Sequence, residues 1–175
     1  MIGEGLARGL FAGHERYIVR HVTPARCTYE PVWAEVRDCV RCGDGLLTME
    51  EVGSSLEGRA LYTVQFGRGA RRILLWSQMH GDEPNATLAL LDLLRYLLAE
   101  HRTHHVQALL ERATVVCLPM LNPDGAERFQ RESAAQIDLN RDADMLATPE
   151  ARVLREVHAR FSPMVAFNLH DQSLS

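Results

Sequence analysis

The chain has 175 residues, 46% of them hydrophobic, the length of a single domain able to bury about two thirds of the surface its unfolded form exposes. Its 19 basic residues are spread thinly against 23 acidic ones, for a net charge of -4. This leaves no basic stripe for a phosphate backbone and no acidic tail, which argues against nucleic acid as a partner.

The opening MIGEGLARGLFAGHERYIV lacks the uninterrupted apolar run of a secretory leader or a membrane span, so the reading is of a cytoplasmic chain with no membrane partner. Residues 1–45 form a helical or irregular N-terminal segment to which no role is assigned, and residues 46–175 read as one continuous domain. Within the first segment Val32, Val36 and Val40 recur at helical spacing behind Pro31, and Gly43 suits a C-cap, predicting a helix over 30–41. The cysteine pair in CVRC, Cys39 and Cys42, has no second CxxC or CxxH to complete a zinc knuckle. Cys117 lies in an apolar run and is expected in the core.

Three strands follow, at 46–53, 60–67 and 71–78; the middle one alternates and the third is continuously apolar. The Gly-rich FGRGAR between the last two predicts a hairpin. Leu88, Leu91, Leu94 and Leu98 mark a helix from Asn85 to about His101, with Pro84 at its start. His101, His104 and His105 are expected at the polar end of that helix. RATVVCLP (112–119) is a fourth strand, PEARVLREVHARF (149–161) a helix opened by Thr148 and Pro149, and PMVAFNLH (163–170) a fifth strand. Met120, Met145 and Met164 are expected to serve packing. Strands alternating with helices predict a layered α/β fold, a mostly parallel or mixed central sheet flanked by helices. In such sheets sites gather at the carboxyl ends of the strands.

Two histidines stand at such ends. His80 follows the apolar strand 71–78, and Glu83 at i+3 lets an imidazole and a carboxylate converge from one strand-to-helix turn. His170 ends the last strand in the same topological position, so a parallel neighbour would deliver it to the same rim. Two histidines and one carboxylate with an open position are the usual catalytic zinc set. A plainer role also suits these residues: Glu83 favours a helix N-terminus, and Asp82 a cap. Downstream, NPDG (122–125) is ordinary turn chemistry. In QIDLNRD, Asp138 and Asn140 share a parity that points both one way in an extended segment, beside Arg141, whose planar fork suits a carboxylate.

MHGDEP, NPDG, DLNRD and NLHD, preceded by SLEGR, occur in the order found in the zinc carboxypeptidases of the carboxypeptidase A type, and residues 52–171 resemble that family. The resemblance implies one zinc ion held by His80, Glu83 and His170, with Asp138 hydrogen-bonded to the first histidine. It also implies Arg131, with Arg128 as its rival, as the arginine that polarises the scissile carbonyl, and Asn140 with Arg141 as the grip on a substrate's terminal carboxylate. The implied activity is removal of C-terminal residues from peptides. A zinc amidohydrolase acting on small acyl-amino-acid substrates and a non-catalytic zinc or peptide-binding module are the alternatives. The family's general base lies after the third zinc ligand, so the chain is expected to be part of a longer protein, weakly active or inactive by itself.

Overall fold

The computed structural model describes residues 3–171. Its elements run α1 (Gly3–Gly13), α2 (Tyr29–Cys42), β1 (Leu47–Ser54), β2 (Ala60–Gly67), β3 (Arg71–Ser77), α3 (Asn85–Glu100), α4 (His104–Arg112), β4 (Ala113–Leu118), α5 (Pro123–Arg128), α6 (Pro149–Phe161) and β5 (Val165–Leu169), with short 3-10 turns between some of them. The strands form one sheet in the order β1-β2-β4-β3-β5. β1 and β2, and β2 and β4, pair antiparallel; β3 runs parallel to both β4 and β5. The sheet is therefore mixed, with helices on both faces, and its parallel half carries the two strand ends singled out above.

Side-chain alternation along β4 divides the core between those faces. Val115 and Cys117 enter one cluster with Trp33, Val36, Leu91, Leu94 and Leu97 from α2 and α3. Val116 and Leu118 enter the other, with Leu74 from β3 and Val153 and Val157 from α6. Residues before 46 belong to the first cluster as fully as those after it, since Val32, Trp33, Val36 and Cys39 have no exposed surface. Trp33 meets Tyr62 of β2 edge-to-face at 5.0 Å, and truncating a tryptophan so buried costs about 3–5 kcal/mol.

The expected β2–β3 hairpin does not form, because β4 lies between the two strands. The Gly-rich link instead passes close under the start of β4. Arg68 donates its backbone N–H to Leu110 at 2.8 Å and Gly69 donates to Ala113 at 3.1 Å. A Cβ on Gly69 would stand 1.9 Å from the Arg112 carbonyl carbon, so close backbone approach, not a hairpin turn, requires glycine there.

His101 is the C-cap of α3, but His104 and His105 open a separate helix, α4. Met120 is buried, whereas Met145 and Met164 are largely exposed rather than part of the core. Cys39 is buried within α2 and Cys42 exposed, and all four cysteines are free. Thr148 caps α6 by accepting from the Ala151 N–H at 3.2 Å, as its sequence suggests. No described helix is long and apolar enough to cross a membrane.

Candidate metal centre

β3 ends at Ser77, and the following turn carries His80 and Glu83 to the N-terminus of α3. β5 lies beside β3 in parallel register, Ser77 opposite Leu169, so its end brings His170 to the same rim. The Nδ1 of His80 lies 2.7 Å from Glu83 Oε1, and the Nδ1 of His170 lies 2.8 Å from Glu83 Oε2. The two imidazole rings are 4.9 Å apart. Among the described residues, this is the group whose ligand atoms all fall within 4.8 Å of one another.

The other nitrogen of His80, Nε2, is 3.0 Å from Asp138 Oδ1. His80 is buried, with a carboxylate against each ring nitrogen. A neutral imidazole donates from one nitrogen only. With that proton given to Asp138, the Nδ1 lone pair and the Glu83 oxygen face each other as two acceptors, and a cation between them satisfies both. The donor set of two imidazoles and one carboxylate is the one zinc takes when a position is left open for chemistry. On this chemistry the residues fit the metal.

Burial alone would raise the Glu83 carboxyl, but the two imidazoles beside it and the Asp171 N–H outweigh burial and hold the group below the ordinary carboxylate range. Asp138 follows the same balance: burial raises it, and His80, the Asn140 N–H and Arg131 together lower it further. Both carboxylates are ready as anions at neutral pH.

Arg131 spans the two. Its Nε and Nη2 donate to Asp138 Oδ2 at 3.3 and 3.1 Å, and its Nη1 reaches Glu83 Oε1 at 3.4 Å. Arg128 points elsewhere, into an ion pair with Glu57. The extended-strand parity argument for Asp138 and Asn140 does not hold, because Leu139–Arg141 is a 3-10 turn. Asp138 is its N-cap, accepting from the Asn140 N–H at 2.8 Å. The cap turns Asp138 toward His80, and Asn140 and Arg141 after it are exposed. Asn140 accepts from Asn168 of β5 at 3.4 Å.

Two supports escape a reading of the sequence. Asp171, the last letter of NLHD, accepts from the Asn85 N–H at 3.1 Å, and its own N–H donates to Glu83 Oε2 at 3.2 Å, so it joins the end of β5 to the start of α3. NPDG is more than a turn. Asn122 caps α5 by accepting from the Gly125 N–H, and its amide donates to the Met79 and Arg131 carbonyls at 3.2 and 3.3 Å, tying together the segments that carry His80 and Arg131. Asp124 has no exposed surface and accepts from Ser55 at 2.8 Å, the Glu57 N–H at 3.0 Å and Arg59 at 2.6 Å. SLEGR and NPDG thus form one buried network beneath the rim.

The sequence profile of the zinc carboxypeptidases matches residues 38–159. Carboxypeptidase 2 of Trichophyton tonsurans is 39% identical over 100 residues, which are 57% of this chain and 18% of that protein. Mouse carboxypeptidase M is 27% identical over 150 residues, covering 72% of this chain and 34% of that protein. Among solved structures, a metallo-carboxypeptidase from Burkholderia cenocepacia superposes with a TM-score of 0.74 at 21% identity, over 83% of this chain and 42% of that one. Carboxypeptidase A of Helicoverpa armigera superposes with a TM-score of 0.69 at 20% identity, over 98% of this chain and 54% of that one. These two likenesses establish a shared fold, and the chain spans well under two thirds of each relative's length.

Proposed function

The chain belongs to the zinc carboxypeptidase family, and on that premise we propose that it carries the metal- and carboxylate-binding part of a zinc-dependent carboxypeptidase that removes C-terminal residues from peptides. The observation that carries the reading is the meeting of the His80, Glu83 and His170 ligand atoms, with Asp138 behind His80. In this reading those three residues hold one zinc ion, which when bound lowers the pKa of its water and polarises the substrate carbonyl.

The chain's own residues do the rest. Asp138 keeps the His80 proton on Nε2 and frees Nδ1 for the metal, raising the ring's basicity. Arg131 stands at the rim, close enough to Glu83 to aim a guanidinium at an oxyanion that develops beside the site, worth about 3 kcal/mol for a well-placed donor. Arg141 and Asn140, both exposed just past Asp138 in the chain, bind the α-carboxylate of the peptide; Arg141 offers the fork and Asn140 an amide. An anchor for a terminal carboxylate makes the chemistry act at a chain end. Glu127 and Glu150 are engaged elsewhere, accepting from the Tyr29 and Leu56 N–H groups. In this reading the proton acceptor is therefore neither of them. The cytoplasmic setting expected from the opening residues would keep the four free cysteines reduced.

The test is a substrate panel on the full-length protein. Arg141→Ala should raise KM for a free-acid peptide at least 10-fold more than for its C-terminal amide, because only the acid offers the bidentate partner. Equal losses on both overturn the anchor. Turnover of N-acyl amino acids in preference to peptides would make the protein an amidohydrolase, and zinc binding without turnover of either would make it a binding module.

A further inference from the structure

Gln78 has a backbone that a glutamine rarely adopts. Its φ is +48°, in the left-handed region, and it is 1% exposed, two residues before His80. A left-handed, buried, non-glycine residue persists only where its surroundings determine it. At Gln78 the backbone carbonyl and both polar atoms of the side-chain amide have partners. The backbone carbonyl accepts from the Asn122 N–H at 3.0 Å, which fixes the point where the chain leaves β3. The side-chain amide donates at 3.1 Å to the Gly81 carbonyl, inside the turn between His80 and Glu83, and at 3.1 Å to the Cys27 carbonyl. The Cys27 thiol lies 3.6 Å from Gln78 Oε1 and 3.9 Å from the Pro84 carbonyl.

One buried amide and one thiol therefore touch the ligand turn at both ends, and Cys27 comes from before the region matched by the family profile, residues 38–159. Nothing in the chemistry of His80 or Glu83 themselves fixes the Gly81 carbonyl. A turn free at Gly81 would let the imidazole and the carboxylate drift independently, and a metal site loosened in this way loses affinity.

We infer that Gln78 is a positioning residue that clamps the 79–84 turn to the N-terminal segment at Cys27, holding His80 and Glu83 at metal-ligand spacing. The inference rests on the zinc reading of that cluster. Its consequence is that residues around Cys27 serve the site, although they bear no ligand.

Zinc titration of the chain by calorimetry, with circular dichroism and melting temperature recorded on the same samples, tests this. Gln78→Gly suits the left-handed backbone but removes the amide; Gln78→Asn keeps an amide that is one methylene short and still tolerates that backbone. Both should weaken zinc binding about 10-fold or more in samples that circular dichroism shows to be folded, with a lowered melting temperature from the lost buried hydrogen bonds, and cobalt in place of zinc should give a weakened visible spectrum. His80→Ala should abolish binding. Parent-like zinc affinity in the folded glutamine variants, with His80→Ala null, overturns the clamp and leaves the metal site standing. Parent-like affinity in His80→Ala overturns the metal site itself. If Gln78→Gly does not fold, Gln78→Asn decides by the same criteria.

Discussion

His80 Nε2 lies 3.0 Å from Asp138 Oδ1, while the Nδ1 of the same ring faces Glu83. Two carboxylates from segments 55 residues apart thus share one buried imidazole, and each sets what the other nitrogen can do. Asp138→Asn removes the charge that holds the proton on Nε2. Zinc affinity, measured by competition with a chromophoric chelator, should fall about 10- to 100-fold. An unchanged dissociation constant would mean that Asp138 serves only as the cap of its own turn.

Asp124 makes a prediction about stability rather than binding. It has no exposed surface and neutralises Arg59 while accepting from Ser55 and the Glu57 N–H. Asp124→Ala leaves those donors without their acceptor. Because Arg59 is partly exposed and keeps Glu57 as a second partner, the loss should sit at the lower end of the range for a broken buried pair, about 3 kcal/mol in urea unfolding. A loss under about 1 kcal/mol would show that water or Glu57 replaces Asp124 in full.

Apolar periodicity marked β1 to β5, α2, α3 and α6, all of which except β5 bury a stripe or alternating face, β5 leaving Val165 and Phe167 exposed, and the histidines could be placed because strand ends share a rim. The β2–β3 hairpin was not legible, because Gly67 and Gly69 look the same whether a chain reverses or passes under the backbone at Ala113. Nor was the role of NPDG, since Asn122 and Asp124 are ordinary turn residues until the partners at Met79, Arg131 and Arg59 are known. Asp171 escaped for the same reason: its two hydrogen bonds join residues more than eighty positions away.

Asp142 and Glu150 should give stability slopes of opposite sign. Burial would raise the Asp142 carboxyl, but the Thr148 hydroxyl and the Thr148 and Ala147 N–H groups hold it below the ordinary range. Its contribution is present above the unfolded pKa of about 3.9 and is lost as pH falls through the folded value. Asp142→Asn should cost on the order of 1–2 kcal/mol at pH 7 and flatten the acid limb of a stability–pH curve. A curve that keeps the parent's acid slope would rule out this origin.

Glu150 is raised, first by burial and then by the nearby Asp124, against the lowering effect of the Leu56 N–H. Its folded carboxyl keeps its proton to higher pH than the unfolded one. The group therefore favours folding below about pH 4.3 and opposes it increasingly as pH rises through the folded value. Glu150→Gln keeps an acceptor for Leu56 without the buried charge and should stabilise the chain by roughly 1 kcal/mol at pH 7, with no gain at pH 3. Destabilisation at pH 7 would mean that the anion has a partner worth more than its burial costs.

Gly81 offers the sharpest separation of folding from metal binding. It lies in the ligand turn with ordinary backbone angles, yet a Cβ there would stand 2.0 Å from the Gly125 carbonyl carbon and 2.3 Å from the Ala126 nitrogen. Both are backbone atoms of α5, held by the Asn122 cap, and cannot step aside as a flexible side chain would. Gly58 is the converse case: its φ is +82° and a Cβ would meet open space. Gly58→Ala should therefore cost about 1 kcal/mol of backbone strain and leave zinc binding as it was. Gly81→Ala must part the 79–84 turn from α5. It should cost about 2 kcal/mol or more and weaken zinc at least about 10-fold, because His80 and Glu83 move with the turn. Unfolding curves and zinc titrations of the two variants side by side decide the matter. Equal zinc affinity in both would show that α5 can yield, and that its packing against the turn has no part in holding the ligands.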